Sequence, residues 1–324
     1  MDNMKDNHFK VRIQCMTYNH APYIEDAMNG FCMQQTDFPF LAVVVDDAST
    51  DGEPEVIKHY LAEHFDNEAL DLPTPDETDE YVRVFARHKE NKNCYFLVMF
   101  LKYNHYSIKK AKLTSVADLL RPIPYIALCE GDDYWIDPQK LQRQVDFLDR
   151  HEEYTASTEN GRIHFLPDNT FALFSEEKTR DVSFDDLLIQ RRFPTASVVY
   201  RSCHASGLSR LTPPRFDTLT WAYLATQGRI HFNSFVSSVY RRGCGITSSD
   251  KIRWAYTVRS FNVSLYNNFE VSDKIKAVRN EDVYDSLING IKEAKRQNRF
   301  VDVIKLSFYG MQIHPKRMIR FLIK

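Results

Sequence analysis

The apolar run Tyr125-Ile126-Ala127-Leu128-Cys129 breaks off abruptly into Glu130-Gly131-Asp132-Asp133-Tyr134-Trp135. Such a run reads as a strand of a parallel sheet covered by helices, and ligands bind in the crevice outside the ends of such strands. Three carboxylates within four residues repel one another unless a cation lies between them, so the expectation is a divalent metal on hard oxygen ligands. The alternative is a turn built on Gly131 with solvated acids.

The segments before it alternate in kind. Residues 11–18 read as a first strand, and Pro22 starts a helix running to about residue 34. Residues 41–45 are a second β-branched run, stopped by Asp46-Asp47-Ala48-Ser49-Thr50-Asp51-Gly52. A helix over 54–65, an exposed acidic, proline-bearing loop over 66–80 and a strand over 81–86 follow. After a stretch rich in lysine and aromatics (89–112) come a helix near 115–120, the acidic strand end, and a helix over 139–152. Alternating strands and helices predict an α/β fold with a mainly parallel sheet. Beyond residue 153 the pattern predicts a hairpin over 162–174, a short capped helix at Ser183, a strand over 196–200, a helix over 216–227 and a strand over 231–240. Residues 252–324 read as helical.

The balance of 42 Lys and Arg against 44 Asp and Glu gives no overall field to attract nucleic acid, so an anion site has to be local. The six cysteines form no CxxC pair, which fits a reducing cytoplasm. The polar opening over 1–10 does not read as a signal peptide, and the longest apolar run, 95–101, is far too short to span a bilayer.

Acids at the end of the second strand, Asp46 and Asp47, can accept hydrogen bonds from a nucleotide's base or ribose, or simply build a turn. Met16-Thr17-Tyr18-Asn19-His20, the run from Val45 to Gly52, the run from Tyr125 to Trp135, and Asp137-Pro138-Gln139-Lys140-Leu141-Gln142 together resemble family 2 inverting glycosyltransferases of GT-A fold. The resemblance covers about residues 11–247. It implies a Rossmann-like GT-A domain over 1–250, with a nucleotide-binding half at about 10–150 and an acceptor half at about 151–250, and a helical extension over 251–324. It implies that Thr17, Tyr18, Asn19, Asp46 and Asp47 border the nucleotide, with Asp47 on the base. Asp132 and Asp133 would meet ribose and a Mg2+ or Mn2+ ion, Asp133 being the preferred metal ligand.

Farther along, Phe216-Asp217-Thr218-Leu219-Thr220-Trp221 and Val239-Tyr240-Arg241-Arg242 also resemble the family. There the acid four residues before a Trp is the catalytic base, which maps to Asp217. An inverting transfer needs one carboxylate to take the acceptor hydroxyl's proton, although an Asp here also suits a helix cap. Arg241 and Arg242 are expected near the phosphates, only one of them facing the site because neighbouring strand residues point opposite ways. Many relatives follow this pair with a His, where this chain has Gly243-Cys244-Gly245. Asn104 to Ser107 and Lys109, Lys110 and Lys112 fall where relatives run a donor-contacting loop, or form a basic solvated face.

The implied activity is transfer of a sugar, from a UDP-sugar first of all, to a hydroxyl of a glycan or lipid-linked acceptor in cell-surface polysaccharide synthesis. A nucleotidyltransferase is an alternative, but it calls for a glycine-rich phosphate loop after the first strand, and residues 17–23 hold no glycine. A non-catalytic nucleotide-sugar-binding module is another. Residues 296–324 mix Phe300, Ile304 and Phe308 with Lys316, Arg317 and Arg320; such a basic amphipathic end suits peripheral contact with the inner face of a membrane, or a helix pair packed on the domain.

Overall fold

The computed structural model describes residues 8–66, 76–190, 193–213, 216–243 and 250–323. The chain divides into two compact units: Met1–Val182, Arg192–Ala205 and Gln227–Arg241 form one, and Ser183–Arg191, Ser206–Thr226 and Arg242–Lys324 the other. Helical segments from the middle of the chain thus share the second unit with the C-terminal helices.

The first unit begins β1 (Val11–Thr17), α1 (Ile24–Cys32), β2 (Phe40–Asp46), α2 (Glu53–His64), β3 (Asp76–Glu77), β4 (Tyr81–Arg87), β5 (Cys94–Leu101), α3 (Ala117–Leu120), β6 (Tyr125–Leu128), β7 (Tyr134–Trp135) and α4 (Lys140–Arg150). Then come β8 (Tyr154–Phe165), β9 (Thr170–Leu173) and β10 (Arg180–Val182), with β11 (Val199–Arg201) and β12 (Arg229–Arg242) later in the chain. The strands form one sheet in the order β10-β12-β8-β11-β6-β1-β2-β5-β4-β3. Its centre is parallel: β1 lies between β2 and β6, and β5 lies beside β2. Antiparallel strands flank it, β4 on one side and β11 and β8 on the other.

Alternation sorts the central strands onto two cores. Ala42, Val44, Phe96 and Val98 join α1, α2 and α4 residues such as Phe31, Ile57 and Leu148 on one face. Leu41, Val43, Val45, Leu97 and Met99 meet Leu120 and Ile123 on the other. Burial on both faces explains why these strands read as unbroken apolar runs.

Several expectations shift. The run over 95–101, noted above only for its length, is the fully buried strand β5. The strand expected over 196–200 is a 3-10 turn, Thr195–Ser197, followed by β11. The helix near 115–120 is a 3-10 turn leading into the single helical turn of α3. The hairpin is present as β8 and β9. Of the acidic loop over 66–80, residues 67–75 lie outside the described residues, as do residues 1–7 of the polar opening and Cys244 and Gly245.

The second unit holds α5 (Phe184–Ile189), α6 (Ala205–Leu208, joining it from Ser206), α7 (Asp217–Gln227), α8 (Lys251–Asn268), α9 (Asp273–Arg296), α10 (Phe300–Ile313) and α11 (Pro315–Ile323). Side chains fix the starts of three of them. Ser183 and Asp186 form a capping box on α5, Asp250 accepts the Ile252 and Arg253 N–H groups of α8, and Ser272 accepts the Ile275 N–H of α9. Among the described residues no helix is long and apolar enough to cross a membrane.

Candidate functional site

Parallel register aligns the carboxyl ends of the central strands. Thr17 pairs with Asp46 at the end of β1 and β2, and Gln14 pairs with Leu128 just before the acidic turn. The sheet grows from β1 toward β2 and β5 on one side, and β6 returns on the other. This reversal opens the crevice where doubly wound sheets take ligands.

Glu53, the first residue of α2, ties the loops at that edge together. It is fully buried, and its carboxylate accepts hydrogen bonds from the Thr17 hydroxyl, the His20 N–H (2.9 Å) and the Ser49 hydroxyl (2.8 Å). The loops after β1 and β2 also clasp directly. Asn19 donates its N–H to Ser49 Oγ (2.9 Å), and its side-chain oxygen accepts the Thr50 N–H (2.8 Å). Asn19 and Ala48 both take left-handed backbone conformations (φ 57° and 61°), which for Ala costs about 1 kcal/mol and persists because this network over-determines the loops.

Asp47 is buried, and its carboxylate accepts the His105 N–H (2.7 Å), the Tyr106 N–H (3.1 Å) and the Lys112 ammonium (2.8 Å). Asn104 donates to the Asp47 carbonyl (3.0 Å). The stretch after β5 is therefore folded onto Asp47. Asp46 accepts the Ser49 N–H, and its pKa is pushed up to about 6, burial being the main cause; the Ser49 bonds pull it back, and the charges of Glu53 and Asp47 add to the rise.

At the acidic turn the three carboxylates are splayed. Glu130 is exposed, Asp132 half-buried and Asp133 buried. Asp133 Oδ1 accepts the Arg241 N–H (2.9 Å), while Asp132 Oδ2 lies 3.8 Å from His20 Nε2. Gly131 is required here, since a Cβ would stand 2.1 Å from Thr17 Oγ1. Arg241 is buried; it donates to the Asp132 carbonyl (2.9 Å), pairs with Asp26 and stacks on Tyr134 (4.3 Å). Arg242, next along β12, is exposed. Tyr18 is partly exposed, and Trp135 is core, its indole N–H donating to the Ala196 carbonyl (2.6 Å).

Among the described residues no group of three or more His, Cys, Asp and Glu is arranged to hold an ion. An Mg2+-type site, in which one or two carboxylates share the ion with phosphates and water, remains compatible with Asp132 and Asp133.

Thr17, Asn19, Asp46, Asp47, Asp132, Asp133 and Arg241 all belong to the first unit, at or beside the carboxyl edge of its sheet. Asp217 belongs to the second, as the exposed first residue of α7. There it lines a cavity of about 590 Å3 together with residues of α5, α8 and α9. Sequence reasoning missed Glu53, which looks like an ordinary acid in a first helical turn, and His20, although it lies inside a quoted motif.

These features define an α/β protein of GT-A type, a mainly parallel central sheet flanked by helices with further helices at the C-terminal end. Its solved structural neighbours include a protein in complex with UDP-GlcNAc and a mannosyltransferase. Residues 1–349 of S. aureus TarS in complex with UDP-GlcNAc match over 97% of this chain and 84% of that one, at 16% identity and a TM-score of 0.57. The mannosyltransferase PcManGT from Pyrobaculum calidifontis, in complex with GDP-Man and Mn2+, matches over 97% and 85%, at 16% identity and a TM-score of 0.53. No family model matches the chain. By sequence it is 35% identical over 194 residues to the uncharacterized proteins Rv1520 of Mycobacterium tuberculosis and Mb1547 of Mycobacterium bovis, a stretch covering 59% of this chain. The matched stretch is 46% of the length of these curated relatives.

Proposed function

We propose that this protein is a cytoplasmic inverting glycosyltransferase of family 2, moving a sugar from a nucleotide-sugar donor, a UDP-sugar first of all, to a hydroxyl of a glycan or lipid-linked acceptor in cell-surface polysaccharide synthesis. The observation that carries the reading is the Glu53-centred clasp, which holds the loops after β1 and β2 beside the acidic turn at the switch point of the sheet. Solved neighbours that bind UDP-GlcNAc and GDP-Man support it.

In this reading Thr17, Tyr18 and Asn19 border the nucleotide. Asp47 would meet the base; its carboxylate is buried under three donors of the 104–112 segment, which has to give way for a base N–H to reach it. Asp46, held by Ser49, faces the ribose together with Asp132. A Mg2+ or Mn2+ ion shared by Asp132, Asp133 and the diphosphate would neutralise charge on the leaving group. Arg241 keeps Asp132 in place through its carbonyl, and Arg242, exposed next to it on β12, is the second cation the reading assigns to the phosphates.

Asp217 takes the proton of the acceptor hydroxyl as that oxygen bonds to the anomeric carbon. The bond from that carbon to the diphosphate breaks, and the nucleoside diphosphate leaves with the electron pair. One displacement inverts the anomeric configuration. The 17–23 segment, without a glycine-rich phosphate loop, argues against a nucleotidyltransferase.

The apolar residues Phe300, Ile304 and Phe308 stand on one exposed stripe of α10, and α11 carries Lys316, Arg317 and Arg320. This pairing suits peripheral attachment to an anionic membrane, where a lipid-linked acceptor would reside.

A thermal-shift screen of nucleotide sugars with and without Mn2+ tests the donor site, because a ligand that binds only the folded state raises the Tm. A shift that needs both nucleotide sugar and metal is expected, and no shift with any nucleotide sugar refutes the reading. Asp217→Asn should abolish transfer with donor binding unchanged, which separates an enzyme from a binding module; undiminished turnover removes Asp217 as the base.

A further inference from the structure

The cavity of about 590 Å3 within the second unit is lined by two helix faces of opposite character. From α8 come Trp254, Thr257, Val258 and Phe261, at the spacing i, i+3, i+4, i+7. From α9 come Asp282, Asp285, Ser286 and Asn289 at the same spacing. Asp282, Asp285 and Asn289 are exposed, so the α9 side of the cavity offers polar groups to whatever enters it, opposite the apolar and aromatic side from α8.

Trp254 is 49% exposed, whereas the other two tryptophans of the chain, Trp135 and Trp221, are 1% and 3% exposed. A large apolar ring left to water beside hydrogen-bonding groups is the surface that the C–H face of a sugar covers. The hydrogen-bonding groups are available, since the Ser286 and Asn289 side chains make no hydrogen bond among the described residues. Arg279, by contrast, is engaged by Asp282 (2.9 Å) and Asn262 (3.1 Å) and lies over the Phe261 ring.

Charge selects the occupant. Among the described lining residues the charged groups are three carboxylates, Asp217, Asp282 and Asp285, and one guanidinium, Arg279, which pairs with Asp282. Such a wall repels a diphosphate or a uronic acid and accepts an uncharged ring.

We infer that this cavity binds a neutral pyranose of the acceptor glycan, stacked on Trp254 and hydrogen-bonded by Asn289 and Ser286. The assignment of that sugar as the acceptor rests on the transferase reading above, because it stands at the wall that carries Asp217. Its binding does not.

Trp254 supplies the assay, being the one tryptophan open to acrylamide quenching. With the full chain, methyl pyranosides of neutral hexoses and N-acetylhexosamines should reduce quenching, while methyl glucuronide and inorganic phosphate should not. Asn289→Ala, an exposed change that leaves the Tm in place, should weaken the protection about tenfold, the loss of one hydrogen bond. If no neutral pyranoside protects Trp254, or if the glucuronide protects equally, the inference is overturned. Loss of the sugar effect alongside an intact nucleotide-sugar thermal shift would remove the pocket and spare the donor reading. Protection without any such shift would do the reverse.

Discussion

Removing the Glu53 carboxylate tests whether the site's loops depend on one buried acid. Glu53→Ala strands three donors: the Thr17 hydroxyl, the His20 N–H and the Ser49 hydroxyl. The Thr17 hydroxyl has a second partner in His20 Nδ1 (3.2 Å), and the Ser49 hydroxyl can rotate, but the backbone N–H cannot. Each buried donor left unmade costs about 1–3 kcal/mol. Some repulsion is relieved as well, since Glu53 raises the Asp46 pKa. The net expectation is a loss of about 2–4 kcal/mol, or roughly 5–12 °C in Tm for a unit of this size. Glu53→Gln keeps one acceptor oxygen, and the Thr17 hydroxyl can reverse to accept from the new amide, so its cost should be about 1 kcal/mol. Differential scanning fluorimetry on both variants, with hydrogen exchange at the His20 amide, reads the result. Equal Tm values for wild type and Glu53→Ala, or an alanine variant no less stable than the glutamine variant, would refute the reasoning.

Asp46 gives a pH signature. Its folded pKa, near 6, lies above its ordinary value of 3.8, so the folded state binds more protons between those values and stability falls as pH rises through that window, by at most about 3 kcal/mol. Asp46→Asn should flatten this part of the urea-unfolding profile between pH 4 and 6, and an unchanged slope would count against the assignment. Gly131→Ala drives a methyl to 2.1 Å from Thr17 Oγ1 and 2.6 Å from its Cβ; a loss of about 2 kcal/mol or more is expected in chemical denaturation, together with loss of the nucleotide-sugar thermal shift. Ile304→Glu with Phe308→Glu alters two exposed side chains and should leave the Tm in place while abolishing flotation with anionic liposomes; equal recovery of variant and wild type would remove the membrane surface.

The central strands were legible because burial on both faces leaves an apolar run with an abrupt polar end, as at β2 and β6. Less legible was β5, equally apolar, because it sits in a stretch crowded with lysines and aromatics whose charges belong to the turns on either side. Antiparallel β8 was hidden for a different reason. Its buried half, over 154–161, is rich in Thr, Ser, Glu and Asn, and those side chains are satisfied by partners far away in sequence. The Thr158 hydroxyl bonds the His231 carbonyl, and Glu159 pairs with Arg143. Local pattern carries no trace of such partners.

The same distinction divides the candidate site. Acids at strand ends can be read one strand at a time, since their spacing from the apolar run fixes the edge on which they fall. What each acid does there depends on donors that arrive from elsewhere. Asp132 and Asp133 are adjacent and chemically identical, yet the Arg241 N–H, 108 residues from Asp133, holds one carboxylate inside while the other stands half-buried beside His20. A preference for Asp133 as the metal ligand follows from the motif alone. The partition of burial makes Asp132 the more accessible carboxylate and gives Asp133 a second task, fixing β12 to the acidic turn. Replacing Asp133 therefore disturbs the Arg241 backbone as well as any ion, whereas replacing Asp132 removes the more accessible of the two carboxylates.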